Sequence, residues 1–448
     1  SGTGGFLVAA FDRMMSNVKG PKAIEKVKKS LCGFDTNPTV WALATLNMFF
    51  RGDGKSDIKN GSCFEDENKK AVEGKFTRAF LNPPFSQEGE PERDFIDAAL
   101  DALEPSGLIA VVVKAGIFAD AENKLWRKKI VRKHSILGLI SLPEDLFYPT
   151  AAPTSILIVK AHIPQSSTDK IYMGRIWNDG FEKLKGRRVE CEGSQLEEIN
   201  TTFHNFLKGH NFESNIATTI SASSISDGEE LSPQQWLPQP ILSNLDYEFQ
   251  EQKLILSIFQ AISSIPELAD EVLDEFVESW EDLPNLPLNH KAPLNYFFTI
   301  LNGKSSGEKN YNEGNCPYVS SGDLRNSIIR LVSEDEQQIF NVGGITVTAF
   351  GQAYLQPWKF MARGNGGSAV RVLAPKYKMS LNELIWFSIQ INIQRWRFFY
   401  GRMAIKSRLE RLEIHSPPRN ILDTQQSIKE RIDIFKQSLF ELSKFRQS

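Results

Sequence analysis

Residues 108–113 read LIAVVV, an unbroken apolar run entered through Pro105, Ser106 and Gly107. A short, β-branched run of this kind is a strand covered on both faces, and such strands belong to sheets with helices packed on either side. It falls far short of the ~18–20 residues that a membrane-spanning helix needs, and no run in the sequence approaches that length. Just before it, DFIDAALDAL (residues 94–103) sets Phe95, Ala98, Ala99 and Ala102 on one helical face. Further strands are expected over 136–141 and over 155–159 (SILIV). The first part of the chain therefore reads as one doubly wound α/β domain.

With 448 residues, two or three domains are expected at ~150 residues each. Hydrophobic residues make up 41% and charged residues 24%, a balance that excludes a mainly disordered or fibrous chain. The opening SGTGGFLVAAFDRMM has no basic start before an apolar stretch, so it does not read as a signal peptide. Cys32, Cys63, Cys191 and Cys316 are far apart and form no CxxC, and the histidines show no ligand spacing, so no metal site is expected. A reduced, cytoplasmic setting follows as the expectation.

Charge is uneven along the chain. From residue 291 onward there are 22 Lys and Arg against 13 Asp and Glu, net +9, and the remainder carries 30 against 42, net −12. A basic C-terminal portion either meets a polyanion or is simply a lysine-rich solvated surface. Between the two ends the pattern weakens. SASSISD (221–227) and PQQWLPQP (233–240) read as a connector, and residues 248–278 look helical up to a break at Pro266. A second unit follows, with β signals at 318–320 and at 345–350. In the tail, Ile428, Ile432, Phe435, Leu439 and Leu442 recur in steps of four and three. That seam is either a helix docked on its own domain or a spacer that pairs with another helix.

The strongest chemical signal is Asn82-Pro83-Pro84-Phe85 after the apolar pair Phe80-Leu81. Two prolines remove two amide donors and fix the backbone, which leaves the Asn82 side-chain oxygen and the Pro83 carbonyl as acceptors beside an aromatic ring. Two acceptors and a stacking platform suit a planar amine. Accepting both of its N–H protons pushes the nitrogen toward tetrahedral and frees its lone pair, with no metal and no titrating base. The same residues also make a rigid strand-to-loop turn. Gly2-Thr3-Gly4-Gly5 leads into a helix-like stretch, where a ligand can approach the backbone. Asp35 falls where a second strand should end, suited either to ribose hydroxyls or to capping the helix after Asn37-Pro38. The cluster RKKIVRK (127–133) reads as a helix surface.

GTGGFL, GFDTNPTVWALATLNM, LNPPF, LEPSGLIAVVV and SLPEDLFYPTAAPTSILIVK, in this order over about residues 1–160, resemble the amino-DNA methyltransferases of restriction–modification systems, nearest to type I modification subunits. The sequence starts inside the first of these motifs, and the acidic residue usual in the third is represented by Ser62, with Glu65 and Asp66 beyond. The resemblance implies a Rossmann-like methyltransferase sheet lacking its N-terminal part and S-adenosylmethionine as cofactor. Gly2, Thr3, Gly4 and Gly5 would line the cofactor and Asp35 would hold its ribose. Asn82 and Pro83, fixed by Pro84, would accept from the adenine N6 amine, with Phe85 stacking on the base and Phe147 or Tyr148 on its other face. The target base would have to leave the duplex first.

The stretch NYFFTILNGKSSGEKNYNEGNCPYVSS, then ITVTAFGQAY and KSRLERLEIHSPP, resembles the target recognition domain of type I specificity subunits. It implies an α+β domain followed by long helices, with Lys304, Arg325, Lys359, Arg363, Arg395, Arg397 and Arg402 as candidate DNA contacts among Tyr318, Tyr354 and Tyr400. The expected divisions are 1–165 methyltransferase, 166–240 connector, 241–282 helical spacer, 283–420 recognition domain and 421–448 C-terminal helix. Expected partners are duplex DNA, and restriction or specificity subunits or a second copy through the C-terminal helices. Two other readings stay open: a DNA-binding specificity module with an inactive methyltransferase half, and an NPPY-type enzyme acting on protein or RNA.

Overall fold

Gly4, left-handed at φ 85°, turns the chain into helix α1 (Gly5–Met15), and α2 (Pro21–Lys28) begins on a proline whose missing N–H costs nothing at that position. These coordinates are a computed structural model that describes residues 1–85, 89–147, 152–184, 187–225, 227–239, 243–269, 282–340, 344–418, 430–434 and 437. Strand β1 (Cys32–Asp35) leads into α3 (Pro38–Phe50), where the Asn37 side chain accepts from the Thr39 and Val40 amides at 3.0 and 3.3 Å. Asn-Pro-Thr is thus an N-cap with proline in the first helical position. Strand β2 (Asp57–Asn60) pairs parallel to β1. Then come α4 (Asp66–Val72), β3 (Phe76–Leu81), α5 (Glu92–Asp101), β4 (Leu103–Lys114), α6 (Lys124–Lys133), β5 (Ser135–Ser141), β6 (Thr154–Lys160) and β7 (Lys170–Arg175). The hairpin β8 (Phe181–Leu184) and β9 (Arg187–Glu190), α7 (Leu196–Leu207), β10 (Ala217–Ser221) and α8 (Pro233–Trp236) complete a first unit, Ser1–Pro238.

Its main sheet has the order β10-β7-β5-β6-β4-β3, and β4 lies inside it. Ile109, Val111 and Val113 are fully buried against Ile96 and Leu100 of α5 and Ile130 of α6. On the other face Val112, Ile156 and Ile158 pack toward Tyr172 and Ile199 of α7, so both faces of the apolar run are covered as expected. The single doubly wound sheet is corrected in one respect. Strands β1 and β2 form a separate two-stranded sheet, and β3 pairs with β4 alone among the described residues. The turn of residues 1–4 lies by the end of β1, and Phe6 of α1 stacks on Phe80 of β3 with centroids 6.1 Å apart, so this segment occupies the space between the two sheets.

Two further expectations change. The presumed connector adds β7 and β10 to the sheet, through antiparallel pairing from Ala217↔Gly174 to Ser221↔Lys170. On α5 the buried stripe is Ile96 and Leu100 rather than Phe95 and Ala98, because Phe95 turns sideways to meet Phe64 edge-on at 4.7 Å.

The second unit, Gln239–Ser448, opens with α9 (Asn244–Ser264), whose Ser243 and Asp246 form a capping box. The helix ends before Pro266, as the sequence requires, but it is no free spacer: Leu254, Ile255, Ile258, Ala261 and Ile262 enter the core of this unit. Strand β11 (Lys291–Pro293), short helix α10 (Leu294–Phe297) and β12 (Phe298–Asn302) follow, then β13 (Cys316–Val319), β14 (Ile328–Val332), β15 (Ile339–Phe340), β16 (Gly344–Val347), β17 (Ala353–Gln356), β18 (Phe360–Ala362) and β19 (Arg371–Pro375). They make two four-stranded sheets, β12-β19-β16-β17 and β14-β13-β18-β15. Helix α11 (Leu381–Asn392) is buried nearly all round, and β20 (Glu413–His415) returns to pair with β11. Of the tail seam, Ile432 is buried in this core, and Arg431 beside it pairs with Glu251 of α9 at 2.8 Å. Ile428, Phe435, Leu439 and Leu442 lie outside the described residues.

Candidate active site

Asn82 begins where β3 leaves the sheet, its strand running parallel to β4 with Leu81 opposite Val111. Pro83 is buried and Asn82 and Pro84 are exposed, so the prolines fix a turn whose first side chain faces solvent. Phe85 is half-buried. The ring of Phe147, from the loop after β5, meets it edge-on with centroids 5.6 Å apart at 89°. The two aromatic residues assigned to the base are therefore brought together from positions 62 apart in sequence. Tyr148, the alternative partner, lies outside the described residues.

Lys114 and Glu92 join this cluster, and no motif marked them. Lys114 ends β4, and its ammonium stands 5.8 Å from the centre of the Phe85 ring. Glu92 opens α5, with one buried carboxylate oxygen lacking a hydrogen-bond partner. Burial pushes its carboxyl above the usual range, against the opposing charge of Lys114. The parallel β3–β4 pairing brings Lys114 to Phe85, and Glu92 at the start of α5 meets Lys114.

The glycine turn is built around Asp35. One carboxylate oxygen accepts the Gly2 amide at 2.9 Å and the other accepts the Asn37 amide at 3.0 Å. Capping of α3 falls to Asn37, so Asp35 instead ties the glycine turn to the end of β1 and keeps lone pairs to spare. Gly4 requires glycine twice over, by its positive φ and because a Cβ there would lie 3.3 Å from Ala44 of α3. The Thr3 carbonyl accepts from Asn47 at 2.8 Å. At Gly2 and Gly5 a Cβ would meet nothing within 4 Å, so the backbone faces open space. Open glycine backbone at the start of α1, exposed Phe6 and Phe80, and a carboxylate with free acceptor capacity fit a nucleoside-bearing ligand. In the third motif, Glu65 accepts from the Ser62 amide at 2.9 Å and from Asn68 at 3.1 Å, which braces the loop.

The basic residues of the second unit divide by burial. Lys304, Arg325 and Arg395 are exposed. Lys359 pairs with Glu334 at 2.6 Å, and Arg363 lies 3.7 Å from Glu308. Arg397 and Arg402 are corrections: both are buried, Arg397 donating to Gln394 and Arg402 donating to the Arg397 carbonyl. Their charge is taken up by protein acceptors and by the rings of Trp396 and Phe398. Tyr318 and Tyr354 are likewise buried, each pushed up to about 12 by desolvation, whereas Tyr400 is exposed. In the first unit, Arg127 of the basic cluster is also buried. Its guanidinium donates to the carbonyls of Ile117, Asp120, Gly228 and Glu229, a structural hub rather than a helix surface.

Residues 1–239 match the model of the N-6 DNA Methylase family, and residues 291–448 match that of the Type I restriction modification DNA specificity domain. The type II restriction enzyme and methyltransferase RM.BcgI of Heyndrickxia coagulans is 27% identical over 43% of this chain and 32% of its own. The type I restriction enzyme MjaVII methylase subunit of Methanocaldococcus jannaschii is 21% identical over 62% of this chain and 50% of its own. The chain thus spans about a third to a half of the length of these curated relatives. Among solved structures, a type I restriction-modification system methyltransferase subunit from Streptococcus thermophilus aligns with a TM-score of 0.39 at 19% identity, covering 50% of this chain and 52% of that one. The first of the two family matches takes in more than half of the 448 residues, and the chain belongs to the N-6 DNA Methylase family.

Proposed function

We propose that this chain carries the methyl-transfer and DNA-recognition parts of a restriction–modification enzyme that methylates adenine N6 at a specific sequence in duplex DNA. The observation that carries it is Asn82-Pro83-Pro84-Phe85 at the exit of β3 with Phe147 set edge-on to Phe85. An adenine extruded from the duplex would stack on Phe85, with Phe147 bounding the slot. The Asn82 side-chain oxygen and the Pro83 carbonyl would accept the two N–H protons of the amine and turn its lone pair outward. Positioning and hydrogen bonding supply the catalysis, without a metal. S-adenosylmethionine, when bound, supplies an electrophilic methyl group. Gly2, Thr3, Gly4 and Gly5 would line it and Asp35 would hold its ribose, a reading supported by the open glycine backbone and the free acceptor capacity of that carboxylate.

Recognition would fall to the second unit, whose sequence matches a DNA specificity domain. Exposed Arg325, Arg395 and Lys304 are its best-placed cations. Restriction or specificity subunits, or a second copy, are the protein partners we propose, in the cytoplasm where such DNA is found. No described helix is long and apolar enough to cross a membrane.

Asn82→Ala tests the catalytic assignment. Methyl transfer to duplex DNA should fall by at least ~100-fold, the scale of losing one well-placed transition-state hydrogen bond. DNA binding by the same variant should stay within about twofold of wild type, because the mutated side chain contacts only an extruded base. Retained transfer would sink the assignment.

A further inference from the structure

Between β13 and β14 the second unit holds a turn that a simple connection would not need. Arg325, Asn326 and Ser327 follow one another at φ 51°, 55° and 64°, three left-handed residues in succession and none of them glycine. L side chains resist that conformation, so the surroundings must impose it. Asn326 and Ser327 are fully buried and are tied to neighbouring segments, although the Asn326 Oδ1 is itself a buried acceptor without a partner. The Asn326 amide donates to the Ser257 hydroxyl of α9 at 3.0 Å, and its side-chain amide donates to the Leu355 carbonyl at 2.6 Å and to Gln356 at 3.2 Å. Gln356 returns a bond to the Asn326 carbonyl at 3.0 Å, and the Ser327 hydroxyl donates to the Ser320 carbonyl.

This anchoring supports a largely exposed tip. Leu324 is 71% exposed and belongs to no apolar cluster among the described residues, and Arg325 beside it is exposed too. A lone exposed leucine is ordinary on a flexible loop. On a turn strained into place by two fully buried anchors it is an apolar group presented at a fixed angle. The turn is also tied to its neighbours. The Ala349 amide donates to Ser321 at 3.3 Å, Asp323 lies 3.8 Å from Arg395, and Arg395 donates to Gln352 at 2.9 Å. Exposed Tyr400 lies in the loop that follows Arg395.

We infer that Leu324 is a wedge that enters the base stack of bound duplex DNA, with Arg325 steadying the adjoining phosphate. The inference rests on the reading of the second unit as a DNA-recognition domain. Apolar side chains on rigid supports part base steps in this way, and the cost of unstacking is offset by wider contact with the deformed duplex. A flexible loop would lose the wedge's position. The buried Asn326 and Ser327 anchors keep it.

The test uses the full chain and a synthetic duplex bearing its methylated sequence, with 2-aminopurine scanned through every position except the target adenine. Wild type should raise fluorescence several-fold at one step, through unstacking. Leu324→Ala should return that step to the level of free duplex and weaken binding about tenfold, and Leu324→Met should restore both. Arg325→Ala should weaken binding while the bright step remains. Binding with no bright step, or a bright step retained in Leu324→Ala, overturns the wedge and leaves the recognition reading standing. Failure of wild type to bind any duplex at low salt overturns both.

Discussion

Phe85 shows how a site depends on single side chains. Phe147 meets its ring edge-on and the Lys114 ammonium stands 5.8 Å from the ring centre, so side chains from two other elements bound the platform proposed for the base. Phe85→Ala should remove base stacking worth ~1–3 kcal/mol, raising KM for DNA about 5- to 150-fold in steady-state methylation assays while the Asn82 acceptor remains. An unchanged KM would mean that the base stacks elsewhere. The sequence showed Asn82, Pro83, Pro84 and Phe85 because they are contiguous and chemically unusual. It did not show Lys114, which reaches Phe85 only through strand register, or Glu92, which meets Lys114 from the start of α5. Arg397 and Arg402 failed in the opposite direction. A basic letter carries no mark of burial, and the rings of Trp396 and Phe398 and the nearby carbonyls that absorb these charges are visible only in three dimensions.

At the scale of elements, the apolar runs were legible, while irregular strands and the identity of the α3 cap were not. Asn37 rather than Asp35 caps α3, and truncating the cap with Asn37→Ala should lower stability by ~1 kcal/mol, read as a reduced urea midpoint. The strand β4 stood out because residues 108–113 are an unbroken apolar run, and both of its faces are covered. Strand β7, KIYMGR, and β10, ATTIS, carry ordinary polar residues among their apolar ones, so the pattern faded just where the sheet continues. His134, which caps the end of α6, gives a pH prediction for this region. Burial, and secondly the neighbouring His162, hold its imidazole down to about 4 from an ordinary 6.5. Its Nδ1 accepts the His162 amide at 3.0 Å, a bond available only to the neutral ring. The unfolded chain therefore binds the extra proton between about 4 and 6.5, and stability rises with pH across that window and is level above it. The urea midpoint should be lower at pH 5 than at pH 7.5, and His134→Gln should shrink the difference. An equal difference in the variant would place the titration elsewhere.

Across the whole molecule, the asymmetry of charge was legible early. The net +9 of residues 291–448 falls within the second unit and on the stretch that matches a DNA specificity domain. Part of that charge is internal or paired, through Arg397, Arg402, Lys359 and Arg363, so the charge left to meet a polyanion is smaller than the count. Arg395→Ala should weaken duplex binding and reduce the slope of log K against log salt by about one. A slope equal to wild type would remove Arg395 from the interface.

The reaction itself is tested most directly by following the methyl group. The protein is incubated with tritiated S-adenosylmethionine and mixed duplex DNA, the DNA is digested, and the labelled nucleoside is identified. Label in N6-methyladenine is the expected result. Label in N4-methylcytosine, or transfer to ribosomal RNA or peptide glutamine with none to duplex DNA, would contradict the assignment of Asn82-Pro83-Pro84-Phe85 to an adenine amine.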